Sequence, residues 1–261
     1  MNLELAGKRA LVTGASRGIG RAIASALAAE GCKLVLVARD AAALAEARDE
    51  LLTHHPDADI VVSAADLRDR KAIDALIDAF ADVQIVVNNA GAIPHGNLLE
   101  VDDDAWADGW ELKVFGHIRM TRGFYRHMRK RRHGVVVNVI GIAGERVMAS
   151  YVAGSAGNAA LIAFTKAVGS ASPADGIRVV GVNPGPILTE RLQSRLHARA
   201  TAELGDVARW PELMHSMPFG RAGDPREIAD VVAFLASPRA GYISGAIVNV
   251  DGGISNRPTP T

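Results

Sequence analysis

Thr13-Gly14-Ala15-Ser16-Arg17-Gly18-Ile19-Gly20 directly follows the apolar run 9–13 and opens a stretch of helical spacing, residues 18–30. Glycine has no Cβ, so a backbone built from Gly14, Gly18 and Gly20 can turn sharply and approach a ligand closely. The helix that begins there offers free N–H groups and a partial positive charge, which suits a pyrophosphate. Between a strand and a helix, this spacing marks the first turn of a nucleotide-binding βαβ unit. The alternative, a glycine-rich turn that binds nothing, has to be weighed against the rest of the chain.

Outward from this turn, short apolar runs rich in Val and Ile recur at residues 33–38, 59–64, 83–88, 134–140, 177–182 and 246–250. Their near-continuous apolarity is what a parallel sheet covered on both faces requires. Helical spacing separates them, over residues 18–30, 41–53, 68–81, 106–131, 151–171 and 225–236. Alternation of this kind predicts an α/β doubly wound Rossmann fold with right-handed crossovers. There is no internal repeat and no linker, so residues 1–261 are expected to form a single domain. Two stretches fall outside the alternation. One is a long insertion before the last helix (184–223), whose substrate-loop portion is at about 186–223; the other is a polar tail, 256–261, expected to fray.

Composition narrows the class. Lys plus Arg equals Asp plus Glu, 29 each, so charge gives no argument for nucleic acid or an anionic membrane surface. The single cysteine, Cys32, cannot form an internal disulfide and fits a reducing compartment. The first residues, Met1-Asn2-Leu3-Glu4-Leu5, lack the pattern of a secretory signal, and no uncharged apolar run is long enough to span a bilayer. A cytoplasmic protein is expected.

Three further segments carry a family likeness. Asn88-Asn89-Ala90-Gly91 follows the fourth apolar run, Tyr151 lies near the start of a helical stretch, and Asn183-Pro184-Gly185-Pro186 closes the sixth run. With the glycine turn, they resemble the short-chain dehydrogenase/reductase family over essentially the whole chain. The resemblance implies a seven-stranded parallel sheet of order 3-2-1-4-5-6-7 with helices on both faces. It implies a dinucleotide held by Gly14, Ser16, Arg17, Gly18, Ile19 and Gly20 at the phosphates, with Asp66 and Leu67 at the adenine. Asn89, Ala90 and Gly91 then line the adenosine ribose side. Pro184, Gly185 and Ile187 seat the nicotinamide carboxamide, with Thr189 as a hydroxyl contact. No metal is implied. The resemblance also implies a homotetramer, with the long helices that precede residue 171 and the 241–253 segment between subunits.

Which dinucleotide binds depends on the end of the second strand. NAD readers place an acid there for the ribose 2′-OH. This chain has Arg39 there, in Val37-Ala38-Arg39-Asp40, and a second cation, Arg17, in the glycine turn. Two arginines can clamp a 2′-phosphate, so NADP (as NADPH) is the expected cofactor and NAD is less favoured. The alternative is that Arg39 is a solvated strand-end charge.

At the reaction centre the resemblance assigns Tyr151 as the proton donor, a lysine four residues later, a serine before an Ala-Gly pair, and an asparagine in the middle helix. Here Ser155 stands at the lysine position, Gly141 at the serine position and Lys113 at the asparagine position. A free phenol titrates near 10, so at pH 7 about one in a thousand is ionised, and restoring a useful phenolate fraction takes about 4 kcal/mol. Lys113 is the candidate to supply that help from the opposite side of the pocket. His117, at i+4 on the same helix, is an alternative proton carrier. The competing reading leaves Lys113 in solvent and His117 as packing. His95, Glu145 and Ser150 are weaker candidates for pocket polar groups.

Beyond the last motif, Arg191, Arg195 and Arg199 recur at helical spacing. Such a stripe either solvates the outside of a lid helix or meets an anionic substrate such as an acyl thioester or carboxylate. Trp210, Met214, Met217 and Phe219 suit a hydrophobic or alicyclic small molecule. The leading expectation is an NADP(H)-dependent oxidoreductase interconverting a carbonyl and a secondary alcohol. A degenerate dinucleotide binder without efficient redox chemistry, or a dehydratase or isomerase on the same fold, are the alternatives.

Overall fold

The computed structural model describes residues 2–257. Seven strands, β1 (Arg9–Thr13), β2 (Lys33–Ala38), β3 (Ile60–Ala64), β4 (Ile85–Asn88), β5 (Gly134–Val139), β6 (Ile177–Pro184) and β7 (Ile247–Val250), form one sheet. Its order is β3-β2-β1-β4-β5-β6-β7 and every pairing is parallel. This is the Rossmann order expected above.

Both faces of the sheet are buried, and the side-chain alternation of a strand divides them. In β1, Ala10 and Val12 join a core with Ile23 and Leu27 of helix α1 (Gly18–Ala29), Leu44 of α2 (Ala41–His54) and Ile228 and Val232 of α8 (Pro225–Ala236). Leu11 joins the opposite core, with Ile73 and Leu76 of α3 (Arg70–Ala79) and Met120, Phe124 and Met128 of α5 (Gly116–Arg131). Each such Leu, Ile, Met or Phe stabilises the fold by about 1.5–3 kcal/mol on leaving water.

The middle helix differs from its expectation. The stretch read as one helix, 106–131, is α4 (Asp103–Trp110), a π-helical turn at Glu111–Phe115, and α5. A π turn admits one extra residue and redirects the side chains it carries, and here it carries Lys113. The next helix, α6, is Val152–Ala171, with Tyr151 as its N-cap at φ −146°, ψ 44°. The insertion contains a helix of its own, α7 (Glu190–Leu204), and a 3-10 turn, Val207–Met214. Of the tail, Asn256 ends a 3-10 turn, and residues 258–261 lie outside the described residues. No helix among the described residues is long and apolar enough to cross a membrane.

Candidate active site

The motif segments all leave the C-terminal ends of parallel strands, so they meet along one edge of the sheet. The crevice opens where strand order reverses, between β1 and β4. The two sides of that point are laced together. Thr13 Oγ1 accepts from the N–H groups of Asn89 (2.9 Å) and Ala90 (3.0 Å), and Asn89 Nδ2 donates to Thr13 O at 3.0 Å. Gly14 and Gly18 adopt φ of +66° and +55°, the left-handed region. A Cβ on Gly20 would lie 2.1 Å from Gly14 O, so the turn closes this tightly only with glycine. Ser16 and Ile19 are half-buried in this turn, and Thr189, the N-cap of α7, faces Gly18 across it.

Around the rim, Arg17 and Arg39 are exposed. Asp40 caps α2, its Oδ1 accepting from Ala42 N and Ala43 N. Arg68 binds both Asp66 and Asp108, leaving Asp66 anchored beside Arg68 rather than free, and Leu67 is buried. On the other side, Gly185 N donates to Val250 O, and its Cα packs so closely that a Cβ would lie 2.8 Å from Asp251 Cα. Pro184 ends β6, and Ile187 bridges to Gly223. A glycine cradle, a facing hydroxyl and two exposed arginines at its rim fit a phosphorylated dinucleotide.

Tyr151 is brought to this edge by the loop after Gly91. Gly96 N donates to Ser150 O, Val152 N donates to Gly96 O, and Gly96 and Tyr151 form a parallel bridge. That pairing lays the His95 imidazole on the Tyr151 ring, with centroids 4.1 Å apart and planes 21° from parallel. The phenol ring also rests on Gly154. A Cβ at Gly154 would lie 2.0 Å from Tyr151 Cζ. Burial raises the phenol pKa, and the guanidinium charges of Arg191 and Arg195 pull it back down. The same two arginines, together with burial, depress the His95 pKa, with burial the larger cause.

Lys113, carried by the π turn, is half-buried, and its Nζ donates to Ile140 O at 2.5 Å. Gly91 makes room for its stem, because a Cβ there would lie 2.7 Å from Lys113 Cδ. Burial, and then the charge of Arg191, push its pKa down to about 8. His117 bonds Ala90 O through Nε2 at 3.0 Å. A carbonyl can only accept, so Nε2 carries the hydrogen and the buried Nδ1 is left without a partner. Burial and the nearby Lys113 push its pKa down to about 3, so the ring stays neutral near pH 7. Its bond to Ala90 O ties α5 to the loop after β4.

Ser155 does not reach the crevice. Its Oγ accepts from Met148 N at 3.0 Å and so fastens the loop before Tyr151. Gly141 stands at the end of β5 with φ +136°, its N donating to Asn183 Oδ1. Glu145 accepts from Asn249 Nδ2 at 2.6 Å, and Ser150 is exposed, so neither faces the phenol. Gly154 was missed by sequence reasoning. The signal was there, as a glycine in the first turn of a helix with no turn or bulge to require it. The lid arginines were legible as a stripe, though not as the cations that act on Tyr151. Arg191 also bonds Gly91 O, and Arg195 Nη1 lies 2.9 Å from His95 Nε2, while Arg199 pairs with Glu203. Trp210 braces α7 edge-on against His197, and Phe219 points into solvent, 86% exposed.

Similarity to known proteins covers nearly the whole chain. The family described as enoyl-(acyl carrier protein) reductase matches residues 14–255. The 3-oxoacyl-[acyl-carrier-protein] reductase FabG of Vibrio cholerae is 37% identical over 257 residues, 97% of this chain and 99% of that protein. Galactitol 2-dehydrogenase (L-tagatose-forming) of Cereibacter sphaeroides is 38% identical over 252 residues, 96% of each. Among solved structures, L-sorbose reductase from Gluconobacter frateurii, complexed with NADPH and L-sorbose, superposes with a TM-score of 0.92 at 32% identity. That match covers 99% of this chain and 100% of the other.

Proposed function

The chain belongs to the short-chain dehydrogenase/reductase family, and on that premise we propose that it is an NADP(H)-dependent oxidoreductase interconverting a carbonyl and a secondary alcohol, with Tyr151 as general acid and base. The observation that carries this reading is the phenol itself, stacked on His95 and packed on Gly154 at the crevice edge, with Arg191 and Arg195 as the cations that act on it.

When bound, NADPH supplies the hydride. The protein's part is to place the carbonyl against Tyr151 and to deliver a proton from the phenol to the oxygen as the carbon is reduced. A raised phenol pKa keeps that proton in place until it is needed, which fits reduction better than oxidation. After transfer, the phenolate faces Arg191 and Arg195, whose charges stabilise it. Lys113, expected to help ionise Tyr151, instead donates to Ile140 O, and the charges that act on the phenol are those of Arg191 and Arg195.

NADP is favoured over NAD by Arg17 and Arg39 at the rim and by Asp40 being occupied as a helix cap. L-sorbose reductase and actinorhodin polyketide ketoreductase, both solved with NADPH, lend support as similar folds. The two lid arginines beside the phenol favour a carbonyl substrate that carries a negative charge, with Trp210 and its neighbours offering apolar contact.

A second reading, a dinucleotide binder with little redox activity, draws on Gly141 and Ser155 offering no hydroxyl to the carbonyl. A panel of acidic and neutral ketones, followed by loss of NADPH absorbance, decides between them. Turnover that disappears in Tyr151→Phe while NADPH still binds supports the reductase. Binding without turnover of any ketone or alcohol supports the second reading.

A further inference from the structure

Arg191 and Arg195 stand one turn apart on α7, and both reach the loop after β4. Like charges at that spacing repel each other. Arg199, one turn further on, is paired with Glu203, whereas among the described residues neither Arg191 nor Arg195 has a carboxylate partner. Neutral acceptors hold them instead: Gly91 O takes Arg191 at 3.4 Å, and His95 Nε2 takes Arg195 Nη1 at 2.9 Å.

A guanidinium has donors and no lone pair to offer, so His95 Nε2 is the acceptor, the ring hydrogen sits on Nδ1, and the imidazole is neutral. The same ring lies against the Tyr151 ring, and the Gly96–Tyr151 bridge pins the backbone beside it. His95 therefore touches the phenol on one hand and the lid on the other. An acidic side chain at 95 would grip Arg195 more firmly but would cancel its charge. A neutral imidazole grips it and leaves the charge to act on the phenol, whose pKa both arginines pull down against burial.

We propose that His95 is a positioning residue, a latch whose neutral imidazole fixes Arg195, and with it the first turns of α7, beside the Tyr151 phenol. Protonation undoes the latch. An imidazolium has no lone pair for Arg195, and it adds a third positive charge to those of Arg191 and Arg195. The groups that face His95 are these two arginines of α7 and the Tyr151 phenol, which stays neutral where histidine titrates. Glu100, on the same loop as His95, is turned to Asn97 N. Burial, then Arg195 and Arg191, hold the His95 pKa below its ordinary value. The latch is thus closed at neutral pH and opens as the solution is made acid. Keeping a guanidinium at the phenol matters only on the reductase reading above; the latch itself does not depend on it.

Amide hydrogen exchange on the unliganded protein tests the latch, read by mass spectrometry on peptides from residues 190–204 with each rate divided by the intrinsic rate at the same pH. Wild type is expected to lose protection about fivefold from pH 7.5 to pH 5, the worth of one hydrogen bond. His95→Phe keeps a ring for Tyr151 but offers no acceptor, and is expected to show the low protection at both pH values. His95→Gln supplies an acceptor that does not titrate, and is expected to match wild type at pH 7.5 and to keep that protection at pH 5. Wild-type protection that is equal at the two pH values overturns the proposal, as does a His95→Phe lid protected like wild type at pH 7.5. A pH response that survives in His95→Gln also overturns it, because another group would then be titrating. Should His95→Phe not fold, Arg195→Met removes the other half of the contact and carries the same expectation. Failure of the reductase reading would show elsewhere, as no turnover in the ketone panel, and would leave the exchange result standing.

Discussion

The ring of Tyr151 occupies the side-chain space of Gly154, where a Cβ would come within 2.0 Å of Cζ and 2.1 Å of Cε1. The ring is also stacked on His95, so a methyl group added at 154 forces it to shift. Gly154→Ala is therefore expected to displace the hydroxyl and reduce kcat about 100-fold, the typical cost of a misplacement near 1 Å. NADPH binding is expected to stay within about twofold, since the glycine turn is untouched. Steady-state kinetics with an accepted ketone, beside a cofactor titration, checks both halves. Unchanged turnover would mean that the ring position does not matter.

Lys113 gives a stability signature that does not depend on knowing the substrate. Its amine falls from 10.5 to about 8 in the folded protein, with burial as the main cause. Between those values the unfolded chain binds more protons than the folded one, so stability rises with pH there. Lys113→Met removes this contribution. Wild type is expected to gain on the variant from pH 8 to 10.5, by up to about 3 kcal/mol at about 1.36 kcal/mol per unit. Urea unfolding of both proteins at pH 7.5 and pH 10 measures it, and parallel pH dependences would place the amine in water.

Arg39 is expected to read the 2′-phosphate. Loss of charge-assisted hydrogen bonds to a phosphate costs about 1.5–3 kcal/mol, so Arg39→Ala should weaken NADPH about tenfold or more. NADH lacks that phosphate, and its affinity should hardly move. Paired titrations with the two cofactors give the answer, and equal losses would place Arg39 in some other role.

The lid arginines act on the phenol with a definite sign. Their charges favour phenolate and so hold the Tyr151 pKa below what burial alone would give. Removing both, in Arg191→Ala/Arg195→Ala, raises it. In the alcohol-oxidising direction, activity needs the phenolate, so the rising limb of the kcat/KM profile is expected to move to higher pH. A limb that stays in place would mean the guanidiniums are screened by solvent when substrate is bound.

The parallel sheet was legible from residues 9–20 outward, and its strand order came from the family resemblance. Val- and Ile-rich runs of this length, separated by helical spacing, satisfy few packings other than a parallel sheet covered on both faces. The glycine turn was legible for a local reason, since its backbone conformation depends on residues that are neighbours in the chain. The break at Glu111–Phe115 was not legible, because a π turn leaves the apolar pattern of the flanking helices nearly intact. That break turns Lys113 inward.

Residue types and their order along the strand ends were settled by the amino-acid sequence alone: a phenol at 151, a lysine at 113, no lysine at 155 and two arginines near the crevice rim. Counting residues from Tyr151 pointed to Ser155 as its partner, since a count assumes that the tyrosine lies on the helix. In the tertiary structure the Ser155 hydroxyl accepts from Met148 N. The Gly96–Tyr151 pairing holds residue 151 off the end of α6, and the bare Gly154 lets the ring fold back one turn. Which side chain then faces the phenol is a matter of three-dimensional packing, which chain spacing does not encode.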